Sequence, residues 1–193
     1  MAIRSDKLRR GFKSDAESIC REIREEMGLS LVERLDPLAL AAHLEIPAVA
    51  LSTCGHPDIV RHFRGKAQRR FSAVTVFITE TERVILYNDF NSPGRRNSDV
   101  AHECGHALLL HEPRPAFTSG GCRDINHVCE QEATWLGATL LVPYDAALAI
   151  ARANLSLEAA ATQYGVSTQL MRWRLGKTGV VKRVAAIKKM WGR

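Results

Sequence analysis

The stretch Ser98-Asp99-Val100-Ala101-His102-Glu103-Cys104-Gly105-His106-Ala107-Leu108-Leu109 organises the rest of the chain. It follows Ser92-Pro93, a helix start in which proline presets φ for the first turn. From there an apolar-periodic run predicts a helix to about Leu110. At 100° per residue, Asp99, His102, Glu103, His106 and Leu110 share one face. Val100, Ala101, Cys104, Ala107 and Leu108 fall on the other. The helix is therefore expected to bury one side and present chemistry on the other. His102-Glu103-Cys104-Gly105-His106 is an HExxH sequence. Two imidazoles one turn apart can hold a single Zn²⁺, and the carboxylate between them can reach a water on the metal. Cys104, on the buried side, reads as a small hydrophobe.

A catalytic zinc needs a third protein ligand. The metzincin continuation HExxHxxGxxH fails here: Leu109 stands at its glycine position and Glu112 at its third histidine. His111 lies on the wrong face of the helix to join the pair. A second helix is predicted from about Val128 to Leu141, stopped by Pro143, and its first turns carry Glu130 and Glu132. Either acid can serve as the ligand, or simply as an N-terminal acid favoured by the helix dipole.

Outward from these helices, Phe71 to Ile78 and Arg83 to Tyr87 are rich in β-branched and aromatic residues and predict a hairpin across Thr79-Glu80-Thr81-Glu82. Residues 14–28 predict an amphipathic helix ending at Gly28. Asp36-Pro37 caps a second helix, and Pro47 to Leu51 is a short strand candidate. Segment 61–70 reads as a basic, loop-like connector and 112–127 as a loop. Three or four short helices follow Pro143.

Composition agrees with a folded chain. The 193 residues are 46% hydrophobic and 25% charged, which disfavours disorder and fibrous classes. The net charge of +6 is unevenly placed. No acid follows Glu158, and the last 35 residues carry eight Lys and Arg; the preceding 158 hold 19 basic against 21 acidic residues. The expectation is a near-neutral body with a basic tail. Five cysteines, odd in number and irregularly spaced, do not resemble a disulfide framework and suggest a reducing cytoplasm. No signal peptide and no membrane span are read.

Taken together, the HExxH helix, Glu132-Ala133-Thr134-Trp135-Leu136, Leu140-Leu141-Val142-Pro143, the preceding hairpin and Tyr164-Gly165-Val166-Ser167 resemble the ImmA/IrrE family of metallo-endopeptidases over roughly residues 15–178. The resemblance implies an α+β fold: a mainly helical zincin-like domain with a small antiparallel sheet over 1–153, and a helix-turn-helix-like helical segment with a basic tail over 154–193. It implies His102, His106 and Glu132 as zinc ligands and Glu103 as catalytic acid/base. Mn²⁺ or Fe²⁺ could occupy the same donors. Asp99, on the ligand face, is a candidate to orient an imidazole. His111, His127, Tyr87 and Tyr144 are candidates for stabilising an oxyanion. The implied substrate is a helix-turn-helix transcriptional repressor, cut at one site in a stress or mobile-element response. The alternative is a DNA-binding regulator or toxin–antitoxin component, with Thr168, Gln169, Arg172 and Arg174 turned toward DNA. Against that stands a helical pair packed on the body. Val180, Val181, Val184, Ile187 and Trp191 are expected to form an apolar stripe opposite Lys182, Arg183, Lys188 and Lys189.

Overall fold

A computed structural model of the chain describes residues 8–55, 57–64, 71–79, 82–111 and 127–191. The fold is mostly helical with one small sheet, an α+β arrangement. Helix α1 spans Phe12–Glu26 and buries Phe12, Ala16, Cys20 and Ile23, a 3.6-residue stripe. Helix α2, Pro37–His43, is capped by the Asp36 carboxylate accepting from Leu38 N–H at 3.0 Å, with Pro37 in its first turn. Strand β1, Ala48–Ala50, follows.

The basic connector departs from expectation. Helix α3, Pro57–Arg64, occupies its first part, with Pro57 and Asp58 in the first turn and Arg61, His62 and Arg64 in the last. Those charges complement the helix dipole at both ends. The hairpin forms as expected: β2, Ala73–Phe77, pairs antiparallel with β3, Arg83–Tyr87. The sheet is not purely antiparallel, because β1 pairs parallel with β3, giving the order β1-β3-β2. The connection from β1 to β3 runs through α3 and β2, long enough to bring the chain back in the same direction.

Helix α4, Pro93–Leu108, and helix α5, His127–Leu141, make the central crossing. The crossing is close because two glycines lie in it. A Cβ on Gly105 would meet the Ala133 carbonyl oxygen at 2.9 Å, and one on Gly137 would meet that of Ala101 at 2.8 Å. Of the expected loop 112–127, residues 112–126 lie outside the described residues, and His127 begins α5. Four further helices follow among the described residues: α6, Tyr144–Ala153; α7, Leu157–Tyr164; α8, Thr168–Thr178; and α9, Val180–Trp191.

One hydrophobic cluster joins these parts, from Phe12 and Leu40 through Val100, Cys104 and Leu136 to Tyr164, Met171 and Val180. Arg24, fully buried, ties α1 to the end of α5 and to the following loop. It donates to Leu140 O at 2.8 Å, Ser30 O at 2.8 Å and Glu33 O at 3.0 Å. No single helix among the described residues is long and apolar enough to cross a membrane.

Candidate metal centre

The inner face of α4 is buried as the periodicity predicts: Val100, Ala101 and Cys104 are fully covered. His102 and His106 lie on the opposite side, their Nε2 atoms 3.0 Å apart. Glu130, in the first turn of α5, closes a triangle, with Oε2 3.3 Å from His102 Nε2 and Oε1 3.5 Å from His106 Nε2. Tetrahedral donors about 2.0–2.1 Å from one zinc stand roughly 3.3 Å from each other, so the triangle fits that ion.

The acid that the structure sets with the two histidines differs from the one the resemblance implied. Glu130, not Glu132, stands with the histidines. On α5 the residues meeting α4 are Ala133 and Gly137. Glu130 precedes them by three and seven residues and shares their side. Glu132, two residues on, is turned about 200° around the axis from Glu130. It is buried toward the start of α1, with Oε1 3.2 Å from Arg9 Nε and Oε2 3.6 Å from His111 Nε2.

Both ligand rings are held at their remaining nitrogen. His102 Nδ1 lies 3.2 Å from Thr134 Oγ1, and His106 Nδ1 lies 2.8 Å from His111 Nδ1. With Nδ1 protonated and donating, each ring presents its Nε2 lone pair to a cation. The return of His111 to the pair follows from the end of α4. Leu110 adopts φ 52°, while His111 N–H bonds His106 O at 3.1 Å and Leu110 N–H bonds Ala107 O at 3.1 Å. This is a Schellman turn with leucine where glycine is usual. It reverses the chain and brings His111 back beside the helix it has just left.

Glu103, on the same face, accepts a hydrogen bond from Thr75 Oγ1 at 2.6 Å. Thr75 is the central residue of β2, so the sheet fixes the carboxylate beside the donors. Among the described residues Asp99 has no hydrogen bond to an imidazole. It pairs with Arg95 at 3.7 Å, and burial pushes its carboxyl up to about 6 against that pairing. Of the oxyanion candidates, Tyr144 has its hydroxyl engaged by Arg183 at 2.6 Å, and His127 is exposed at the start of α5. His111 is nearest the site, as the partner of His106.

The electrostatics suit cation capture. Hydrogen bonds from His102 and His106 hold the Glu130 carboxyl well below the usual carboxylate range. Burial opposes protonation of His102, but its bond to Glu130 and the charge of Glu103 outweigh that and raise its pKa. Burial and then the neighbouring His106 lower that of His111.

A sequence model of the peptidase M78 family, described as an IrrE N-terminal-like domain, matches residues 55–176. That is well over half of the chain. The chain belongs to this family. The match contains the α4 ligand helix, the hairpin that supplies Thr75, and the α5 acid. Membership makes this a metallopeptidase-like domain and implies a metal, typically zinc, for which His102, His106 and Glu130 are the fitting residues. A search of the curated proteins finds no match.

Proposed function

We propose that the chain is a zinc-dependent endopeptidase that hydrolyses one peptide bond in a protein substrate, a helix-turn-helix transcriptional repressor, in a stress-response or mobile-element circuit. The observation that carries the peptidase reading is the triangle of His102, His106 and Glu130 with Glu103 fixed beside it by Thr75. A bound zinc supplies a Lewis acid that activates water and polarises a carbonyl. Glu103 accepts the proton of the attacking water and returns it to the leaving amine, and Thr75 holds the carboxylate in place for both transfers.

The sheet supplies a substrate path. β2 is an edge strand: one side pairs with β3, and no other strand pairs with it among the described residues. Ser72 and Ile78 bond toward the β3 side, so by the alternation of an antiparallel pair Ala73, Thr75 and Phe77 turn their backbone groups to the free edge. An extended substrate segment pairing there passes Thr75 and brings its carbonyl to Glu103.

The test is incubation with the repressor encoded nearest the gene, with and without chelator, followed by mass measurement of the fragments. Wild type is expected to give two fragments only without chelator. Glu103→Gln should bind zinc and leave the repressor intact. Cleavage that survives chelation, or persists in Glu103→Gln, refutes this reading. The family resemblance is what points to the repressor as substrate, and a reducing cytoplasm suits the thiols: Cys20 and Cys104 are buried and free.

A further inference from the structure

Glu132 poses a problem that the metal triangle does not solve. A carboxylate only 8% exposed is costly unless charged or hydrogen-bonded groups meet it. Its Oε1 lies 3.2 Å from Arg9 Nε, yet makes no hydrogen bond, so the contact is an ion pair of poor angle. Arg9 is itself half-exposed and shared with Asp15 at 2.9 Å. The other oxygen faces His111 Nε2 at 3.6 Å, an ion-pair distance rather than a closed hydrogen bond. The His111 and Glu132 side chains are 11% and 10% exposed, so this contact is largely screened from water.

Proton accounting gives the contact a direction. A carboxylate only accepts, so it favours the His111 tautomer with hydrogen on Nε2. Nδ1 of His111 is then a lone pair, 2.8 Å from His106 Nδ1. It accepts the His106 Nδ1–H, which leaves His106 Nε2 as the lone pair facing His102 and Glu130. The line Glu132–His111–His106 thus sets the tautomer and aim of one ligand ring from outside the site. The Leu110 turn and the 200° offset of Glu132 from Glu130 are what make the line geometrically available.

We infer that His111 and Glu132 are positioning residues acting in series on the metal ligand His106. The inference rests on the metal-site reading above. It also explains why α5 carries two acids two residues apart: one meets the cation, the other fixes the histidine that supports a cation ligand.

The experiment measures zinc affinity of the full chain by competition with a chromophoric chelator, together with the d–d absorption band of the cobalt-loaded protein. Glu130→Ala should lose stoichiometric binding. Glu132→Gln and His111→Gln should each retain one metal per chain with affinity lowered about 10- to 100-fold. Because the two act in series, the double variant should bind no more weakly than the weaker single one. Wild-type affinity in Glu132→Gln, or losses that add in the double variant, would overturn the inference. So would loss of thermal stability of the metal-free protein with affinity intact, which would assign Glu132 to packing alone. Retention of metal by Glu130→Ala but not by Glu132→Gln would make Glu132 the ligand. A wild-type chain that binds no metal would instead overturn the metal-site reading itself.

Discussion

His102 and His106 depend on partners of different kinds. Thr134 offers a neutral hydroxyl at 3.2 Å, whereas His111 is backed by a buried carboxylate. An isolated hydroxyl is a weaker acceptor than an imidazole polarised by a carboxylate behind it. Thr134→Val, which keeps the shape and removes the oxygen, is therefore expected to weaken zinc binding several-fold, at the mild end of the range for such outer contacts. Chelator competition measures this, and an effect larger than that of Glu132→Gln would reverse the ranking. The cysteines are a second case in which surroundings decide chemistry. Burial pushes the Cys20 thiol up to about 11; for Cys104, burial and then the charge of Glu103 push it up to about 12. The neutral thiol is a poor nucleophile. At pH 8 iodoacetamide should therefore label exposed Cys54 and leave Cys20 and Cys104 untouched until denaturant is added, as peptide mass mapping would show. Labelling of Cys104 in the native protein at the rate of Cys54 would contradict its reading as a small core hydrophobe.

The reach of Glu130 to the histidines depends on how closely α5 approaches α4, so the site is sensitive to groups that never touch the metal. Gly137→Ala would place a Cβ 2.8 Å from the Ala101 carbonyl oxygen and 3.0 Å from His102 N. Both are backbone atoms of α4, so the helices must separate. Overpacking of this kind costs about 1–3 kcal/mol. Gly137→Ala is expected to lower both thermal stability and zinc affinity, measured on one sample by calorimetry and chelator competition; lowered stability with unchanged affinity would show that the ligands tolerate the shift. The same crossing explains what the sequence disclosed and what it withheld. Helix α4 was legible because its start signal and its stripe of Val100, Ala101 and Cys104 fix which side is buried. Helix α5 is nearly all buried from Glu132 to Leu141, so its periodicity carries no phase. Nothing in the residues then tells whether Glu130 or Glu132 turns to α4; the resemblance implied Glu132, whereas the structure sets Glu130 beside the histidines. The αL turn at Leu110 was hidden for a related reason, since leucine does not advertise a left-handed conformation. Helix α3 escaped notice because its charges read as a connector, and the parallel pairing of three-residue β1 leaves no mark in composition.

At the scale of the molecule, the C-terminal helices are held to the body by polar contacts as well as by the shared core. Tyr164 OH donates to Val32 O at 2.9 Å, and Asn97 Nδ2 donates to Gly165 O at 2.8 Å, fastening the α7–α8 turn to the first turns of α4. Arg174, 1% exposed, donates through Nε to Val142 O at 2.8 Å and through Nη2 to Glu17 of α1. One of the four residues that a helix-turn-helix reading would turn to DNA is thus sealed in the interior. Thr168, Gln169 and Arg172 remain exposed on α8, so the basicity of the tail is divided between docking and solvent. The two arginines give the sharpest test of this division. Arg174→Ala leaves the Val142 carbonyl without its side-chain donor and Glu17 without its ion-pair partner, though Glu17 still accepts from Tyr144 N–H at 3.2 Å. Breaking a buried charge pair from one side costs about 3–5 kcal/mol, and the partial exposure of Glu17 places this case near 3. In a chain of this length each kcal/mol moves Tm by about 2–4 °C, so Arg174→Ala should unfold roughly 6–12 °C below wild type. Arg172→Ala, which removes an equal charge from the solvent side of the same helix, should fall within about 0.5 kcal/mol of wild type. Because α8 and the metallopeptidase-like body share one core, the loss in Arg174→Ala should appear as a single shifted transition. A transition that splits, leaving the metal-loaded body at its wild-type midpoint, would instead make residues 154–193 a separate folding unit that merely leans on that body.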